Sequence, residues 1–103
     1  MSALQNSPRL AAVFERVAAE RLRQKQLLRE GRIGFNCDSP VVDENRKLRI
    51  LTEEIGEVAR ELEHLENNKG FFTEKKIRGC LRNELTQVAA VACAWLEQME
   101  EKP

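Results

Sequence analysis

Apolar residues recur every three or four positions in three long segments of the chain, which is the pattern of amphipathic helices. The second segment places them at Leu48, Leu51, Ile55, Val58, Leu62 and Leu65, and the third at Ile77, Leu81, Leu85, Val88, Ala92, Trp95 and Met99. Steps that alternate between three and four are typical of a narrow seam between helices packed lengthwise. The first segment, with Leu10, Val13, Phe14, Val17, Ala18 and Leu22, is less regular. The pattern predicts an all-α fold of long antiparallel helices.

Turn-forming residues interrupt this pattern twice, at residues 31–40 (GRIGFNCDSP) and 67–73 (NNKGFFT). A Ser followed by Pro is a typical helix start, with the Ser as N-cap and the Pro in the first turn. We therefore expect helix one to run from Ser7 and Pro8 to near Gly31, and helix two from Ser39 and Pro40 to about Asn67. Helix three is expected to have Thr73 as its N-cap and to end near Glu100. The length suits one helical domain over residues 1–103.

The amino-acid composition argues against several classes of function. The chain has 17 basic and 17 acidic residues, and this balance argues against a nucleic-acid-binding protein or one attracted to an anionic membrane surface. The longest uncharged apolar run, residues 88–96, is about half of what a membrane crossing needs. Three cysteines without CxxC spacing argue against a disulfide framework or a zinc site. We expect a cytoplasmic protein with no membrane or nucleic-acid partner.

Three long helices on their own would leave much apolar side-chain surface in contact with water. We therefore expect a homo-oligomer, a dimer or larger, in which the helical bundles are completed across a two-fold axis.

An internal repeat places acidic residues beside the seam. Residues 51–59 read LTEEIGEVA and residues 81–89 read LRNELTQVA. At about 100° per residue, Glu54 and Glu57 lie on one side of the seam of helix two, and Glu84 and Gln87 lie in the same relation to helix three. If the two helices pair antiparallel, these four side chains converge.

Carboxylates gathered at close range raise one another's pKa and oppose folding unless a cation joins them. A hard divalent ion is the natural partner for such oxygen ligands, and Mg²⁺ needs only a few protein carboxylates when water and phosphate complete its coordination. The alternative is that Glu54, Glu57 and Glu84 are solvated residues on charged helices. Spacing alone suits the solvated alternative at least as well, and the repetition of their position relative to the seam weakens that alternative without removing it.

The same segments resemble a known family. The pattern L-x-E-E-x-G-E-V-A over residues 51–59, followed by E-L-x-Q-V over residues 84–88, resembles the MazG-type all-α nucleoside triphosphate pyrophosphohydrolases. The run Q-V-A-A-V-A-x-A-W-L-E over residues 87–97 is similar to a short single-domain branch of that family, as is E-R-x-R-Q over residues 20–24. The resemblance covers helices two and three well and helix one in part.

The resemblance implies a MazG-like helical bundle assembled into dimers or tetramers. It also implies Mg²⁺-dependent conversion of a nucleoside or deoxynucleoside triphosphate to the monophosphate and pyrophosphate, with Mn²⁺ as a possible substitute. Carried over by position, Glu54, Glu57 and Glu84 would ligate the metal. The fourth ligand is an Asp in most of the family and is Gln87 here, which leaves the site one negative charge short.

Further roles follow from the same mechanism. Glu53 or Glu61 could orient the attacking water, or both could be solvated. Arg46 and Lys76, each five residues before the Leu of the repeat, fall near the carboxylate face and could hold phosphates, or could simply be exposed. Helix one could contribute Arg21 and Arg23 to the triphosphate.

Two functions remain open on the sequence alone. The first is the pyrophosphohydrolase. The second is a non-catalytic helical interaction or regulatory protein that keeps the fold while Gln87 weakens the metal site.

Overall fold

The computed structural model describes residues 3–34, 36–68, 70 and 72–100. A short 3₁₀ helix, Ala3–Asn6, precedes three long helices: α1 (Pro8–Arg29), α2 (Glu44–Glu66) and α3 (Glu74–Met99). Over this part of the chain the regular structure is entirely helical, which confirms the predicted all-α class.

The ends of α1 agree with the prediction. Pro8 occupies the first turn, although the side chain of Ser7 makes no capping hydrogen bond. At the other end Gly31 adopts a positive φ of 70°, and the backbone N–H groups of Gly31 and Arg32 return to the carbonyls of Leu28 and Leu27. Glycine suits this position because the left-handed conformation strains residues that carry a Cβ.

The predicted start of α2 at Ser39 and Pro40 is wrong. These residues form a turn, and α2 begins four residues later at Glu44, where the side chain of Asp43 accepts a hydrogen bond from the Arg46 N–H at 2.8 Å. An Asp N-cap satisfies an otherwise unpaired donor of the first helical turn. Thr73 caps α3 in the same way, through the Lys76 N–H at 3.1 Å, as predicted.

The three helices form a layer with α3 in the middle. α2 packs antiparallel on one side of α3, since Lys47 Nζ near the start of α2 donates to Gln98 Oε1 near the end of α3 at 3.1 Å. α1 packs on the other side of α3, and in the described part of the chain α1 and α2 do not pack against each other. α1 runs parallel to α3, because Arg9 lies near Arg78 and Lys25 pairs with Glu97. The prediction of antiparallel neighbours therefore holds for α2 and α3 and is wrong for α1 and α3. The molecule accordingly measures 51 × 36 × 25 Å.

The core of this layer is small, and the 31–40 loop contributes to it. Cys37 is buried against Val91 and Ala94 of α3, with Ile50 and Leu51 of α2 packed beside them. Burial raises the pKa of the Cys37 thiol, although the nearby cations Lys47 and Arg21 oppose the shift. The loop thus fills the space where α1 and α2 would otherwise meet.

A buried arginine joins the loop to two helices. Arg21 is 3% exposed; it donates to Glu97 on α3 at 2.7 Å, to Asp38 in the loop at 3.0 Å and to Gln24 at 2.6 Å. Lys25 adds a second ion pair to Glu97 at 2.6 Å. Burial would raise the pKa of Glu97, but the hydrogen bonds from Arg21 and Lys25 outweigh it and lower that pKa.

None of the described helices is both long enough and apolar enough to cross a bilayer.

We expect Asp43→Ala to destabilise the protein by about 1 kcal/mol, because the first turn of α2 loses its side-chain cap. Ser7→Ala is the matched control: its side chain caps nothing, so its effect should stay within about 0.5 kcal/mol. Urea unfolding of both variants measures the difference, and equal losses would contradict the observed α2 start.

Arg21→Met should cost about 2–3 kcal/mol in free energy of unfolding. The methionine retains the apolar stem, while the carboxylates of Asp38 and Glu97 lose their buried partner but are open enough to regain water. Arg29→Met, an exposed change on the same helix, should leave the unfolding midpoint almost unchanged. Similar midpoints for the two variants would show that the Arg21 ion pairs do not tie the layer together.

Candidate functional site

The polar pairs of the repeat lie at the same height along the α2–α3 contact. Glu54 and Glu57 on α2 and Glu84 and Gln87 on α3 are all partly buried. The antiparallel packing, which joins the start of α2 to the end of α3, places the middles of both helices side by side. We refer to Glu20, Glu54, Glu57, Glu84 and Gln87 as the carboxylate face.

Glu54 has the least favourable electrostatic position on this face. Burial raises its pKa, and the negative charges of Glu84, Glu57, Glu53 and Glu20 raise it further, in that order. Glu57 is less isolated, because Arg60 contacts its carboxylate at 3.2 Å. A cation bound beside Glu54 would relieve this repulsion.

The carboxylate face does not form a closed ligand set in this structure. Among the described residues, no three His, Cys, Asp or Glu side chains are close enough together to hold a metal ion. The donors are oxygen atoms of the kind Mg²⁺ prefers. Side-chain rotation on the three helices would be needed to bring them to one ion.

The Gln87 amide faces α1. Its Oε1 accepts from Gln24 Nε2 at 3.3 Å. The amide is also close enough to Glu20 to help lower the pKa of that carboxyl. An Asp at position 87 would instead place a second negative charge near Glu20.

Glu20 is the residue that the sequence analysis did not include in the site. A pair of hydrogen bonds from Arg23, both 2.7 Å, lowers its pKa most; burial opposes the shift, and Gln87 and Gln24 reinforce it. Glu20 is also near enough to Glu54 to raise the pKa of that carboxyl. Glu20 therefore adds a negative charge from α1 to the carboxylate face, where Gln87 is uncharged. The only sequence signal was the similarity of residues 20–24 to the short branch of the family.

A cleft of about 440 Å³ between α1 and α3 opens beside Glu20 and Gln87. Its lining includes two arginines of α1, Arg16 and Arg23, together with Asn83 and Thr86 of α3. This cleft places cations and hydrogen-bond donors next to carboxylates, the combination that a metal-bound polyphosphate requires.

The other predicted residues are distributed along the layer. Glu53 is exposed and close enough to contribute to the shift at Glu54, whereas Glu61 is paired with His64 at 3.6 Å. Because α2 and α3 are antiparallel, Arg46 and Lys76 lie toward opposite ends of the layer and are not brought together. Lys76 instead lies 5.0 Å above the ring of Phe72.

Arg21, predicted to bind substrate, is linked to the carboxylate face through Gln24, which bonds Glu20 and Gln87, but its guanidinium is buried. It lies in the buried ion-pair network that joins α1, the loop and α3.

No known protein family model matches the chain, and neither the curated proteins nor the solved structures contain a match to it. The resemblance to MazG-type enzymes therefore stays a prediction based on the motifs.

Glu54→Gln should stabilise the protein near neutral pH by less than about 1 kcal/mol, with solvent screening taken into account. The folded-state pKa of Glu54 is raised, so wild-type stability declines as pH rises from the unfolded value through the folded one. The gain of the variant should thus be present at neutral pH and vanish in acid. Thermal melts across that range test this; a gain that is the same at every pH would contradict it.

Proposed function

We propose that the chain is a magnesium-dependent nucleoside triphosphate pyrophosphohydrolase of the MazG-like kind, working as a homo-oligomer whose subunits complete a MazG-like helical bundle. It would convert a nucleoside or deoxynucleoside triphosphate to the monophosphate and pyrophosphate. The observation that carries the proposal is the position of Glu54, which is partly buried among carboxylates from all three helices. One of these carboxylates, Glu20, lines the cleft together with Arg16 and Arg23.

Glu54, Glu57, Glu84 and Glu20 would hold the metal. Gln24, which donates to both Glu20 and Gln87, would help to position them. Bound Mg²⁺ would neutralise phosphate oxygens and polarise the α-phosphorus. Mn²⁺ offers the same ligand preference with a similar size.

The cationic lining of the cleft would hold the triphosphate. Arg16 has no ion-pair partner in the described part of the chain. Arg23 would exchange its contacts with Glu20 for phosphate oxygens, which frees the Glu20 carboxylate for the metal. These two side chains replace Arg21, Arg46 and Lys76 as the phosphate-binding residues of the proposal.

The reaction itself requires one positioned water. Its oxygen attacks the α-phosphorus in line, the bond from that phosphorus to the α–β bridging oxygen breaks, and pyrophosphate leaves with that oxygen. Glu53, which is near Glu54, is better placed than Glu61 to orient the water and accept its proton.

The second candidate is a helical interaction or regulatory protein with this fold. Gln87 in place of an acidic ligand favours it, as does the absence of a closed ligand set among the described residues.

Pyrophosphate release from a panel of nucleoside and deoxynucleoside triphosphates, with Mg²⁺ or Mn²⁺, tests the proposal. Glu54→Gln and Glu84→Gln should each lose about 100-fold or more, because a metal ligand is removed from a site with few ligands. Glu15→Gln, an exposed change on α1, is the matched control and should retain full activity.

Two further results separate the candidates. For the enzyme, Mg²⁺ should raise the melting temperature of the wild type but not of Glu54→Gln, and Gln87→Asp should lower turnover because it places a carboxylate against Glu20. An inert wild type that gains activity in Gln87→Asp would support the regulatory protein, and inactivity of both without a Mg²⁺ effect would reject the enzyme.

A further inference from the structure

The chain on its own exposes far more surface than its size predicts. Its accessible surface is 8023 Å², whereas a compact monomer of this mass exposes about 5,900 Å². The excess is about 2,000 Å², in the range that each subunit of a large homodimer interface buries.

Part of this excess is an apolar row on α2. Leu48, Ile55 and Leu62 follow one another at intervals of seven residues and are 51%, 52% and 49% exposed. The packed side of the predicted seam, at Leu51, Val58 and Leu65, is better covered. α3 therefore covers only one half of the α2 seam.

A second part is an apolar groove of about 690 Å³ between α1 and α3. Its floor is formed by Val13 and Val17 of α1 and by Leu81 and Leu85 of α3. The rest of its lining contains no acidic residue and includes four arginines: Arg9, Arg16, Arg78 and Arg82.

The row and the groove lie on the same face of the layer. Glu54 and Glu84 are near each other at the α2–α3 contact, and the next residue of each helix, Ile55 or Leu85, is turned by about 100°. Seen from one end of the layer, successive residues of two antiparallel helices rotate in opposite directions. Ile55 and Leu85 therefore both turn toward the same face of the layer. Glu57 and Gln87 turn about 60° the other way, to the opposite face.

The charges on this apolar face are complementary. In the described part of the chain Arg9 and Arg82 form no ion pair, and neither do Glu63 and Glu66 beside Leu62 at the end of α2. A two-fold axis parallel to the helices and lying in the apolar face would place α2 of one copy over the α1–α3 groove of the other. The end of α2 lies beside the start of α3, so the glutamates would meet the arginine rim.

We infer that the α1–α3 groove seats the Leu48, Ile55 and Leu62 row of a second copy of this chain, with Glu63 and Glu66 facing the arginine rim. The inference deepens the homo-oligomer part of the proposed function. It leaves the carboxylate face outside the interface. It is also symmetric, since each copy supplies one row and one groove.

Sedimentation equilibrium of the full chain tests the pairing through mass alone, without nucleotide. The wild type should be a dimer, and Ile55→Asp should weaken dimerisation by at least about 100-fold, because a charge would be buried in the groove. Val41→Asp is the matched control: Val41 is 88% exposed in a loop, and its change should leave the mass unaltered.

Exchanging the charges of Arg82 and Glu63, both exposed in the single chain, tests which residues face each other across the interface. Arg82→Glu and Glu63→Arg should each weaken the dimer by about tenfold, and the double variant should return to within about threefold of the wild type. A monomeric wild type, a dimeric Ile55→Asp, or a double variant no tighter than the singles would each overturn the pairing.

Failure of the assembly and failure of the chemistry give different results. A dimer with the predicted variant pattern but no pyrophosphate release would reject the enzyme and retain the pairing. An active monomer would do the reverse.

Discussion

The central position of α3 is the constraint on which the remaining structure depends. Among the three long helices that the structure describes, α3 alone packs against both others, so the interior of the molecule is formed along its two sides. Small residues make this possible: Ala90 and Ala94 are almost completely buried and let the neighbouring chain segments approach closely. A helix that contacts two partners on opposite sides produces a layer, and a layer has two broad faces open to solvent.

These two faces have opposite characters because of the phase of the repeat. On α2 and on α3, a glutamate lies at the contact between the two helices. The next residue is large and aliphatic and lies on one face of the layer. A Glu or Gln three positions after the glutamate lies on the opposite face. The antiparallel arrangement aligns the two copies of this order. One repeat thus produces an apolar face and a polar face together.

The periodicity was sufficient to predict the helical class and the pairing of the two repeats, and local residue types predicted the start of α1 at Pro8 and the Thr73 cap of α3. It failed at the start of α2, because Ser39 and Pro40 satisfy the local rule for a helix start as well as Asp43 does. In the structure Val42 is buried, and Cys37 is packed against Val91 and Ala94 of α3, so the segment before Asp43 is held in the core and does not extend the helix. Burial of this kind depends on contacts distant in sequence.

The same limit applies to the site. Spacing identified Glu54, Glu57, Glu84 and Gln87, since they lie on two helices of known phase. Glu20 could not be found in this way, because the less regular pattern of α1 does not define which side faces α3. Arg21 and Arg23 are two residues apart, and the sequence pattern does not distinguish them. In the structure Arg21 is buried among carboxylates, whereas Arg23 lines the cleft between α1 and α3. The orientation of α1 is set by the Arg21 ion pairs, which only the folded chain reveals.

Each of the two faces carries one feature that is unfavourable or unsatisfied in the isolated chain. Repulsion around Glu54 reduces the stability of the isolated chain, whereas the half-exposed leucines on α2 contribute only part of the stability that full burial would give. No contact in the described structure relieves the repulsion or covers the leucines completely. A bound cation would relieve the repulsion between the carboxylates, and a second apolar surface would cover the leucines. The carboxylates and the apolar row lie on opposite faces, but Arg16 and Thr86 line both the polar cleft and the apolar groove. The proposed metal site and the proposed subunit interface would therefore meet at this edge of the α1–α3 contact.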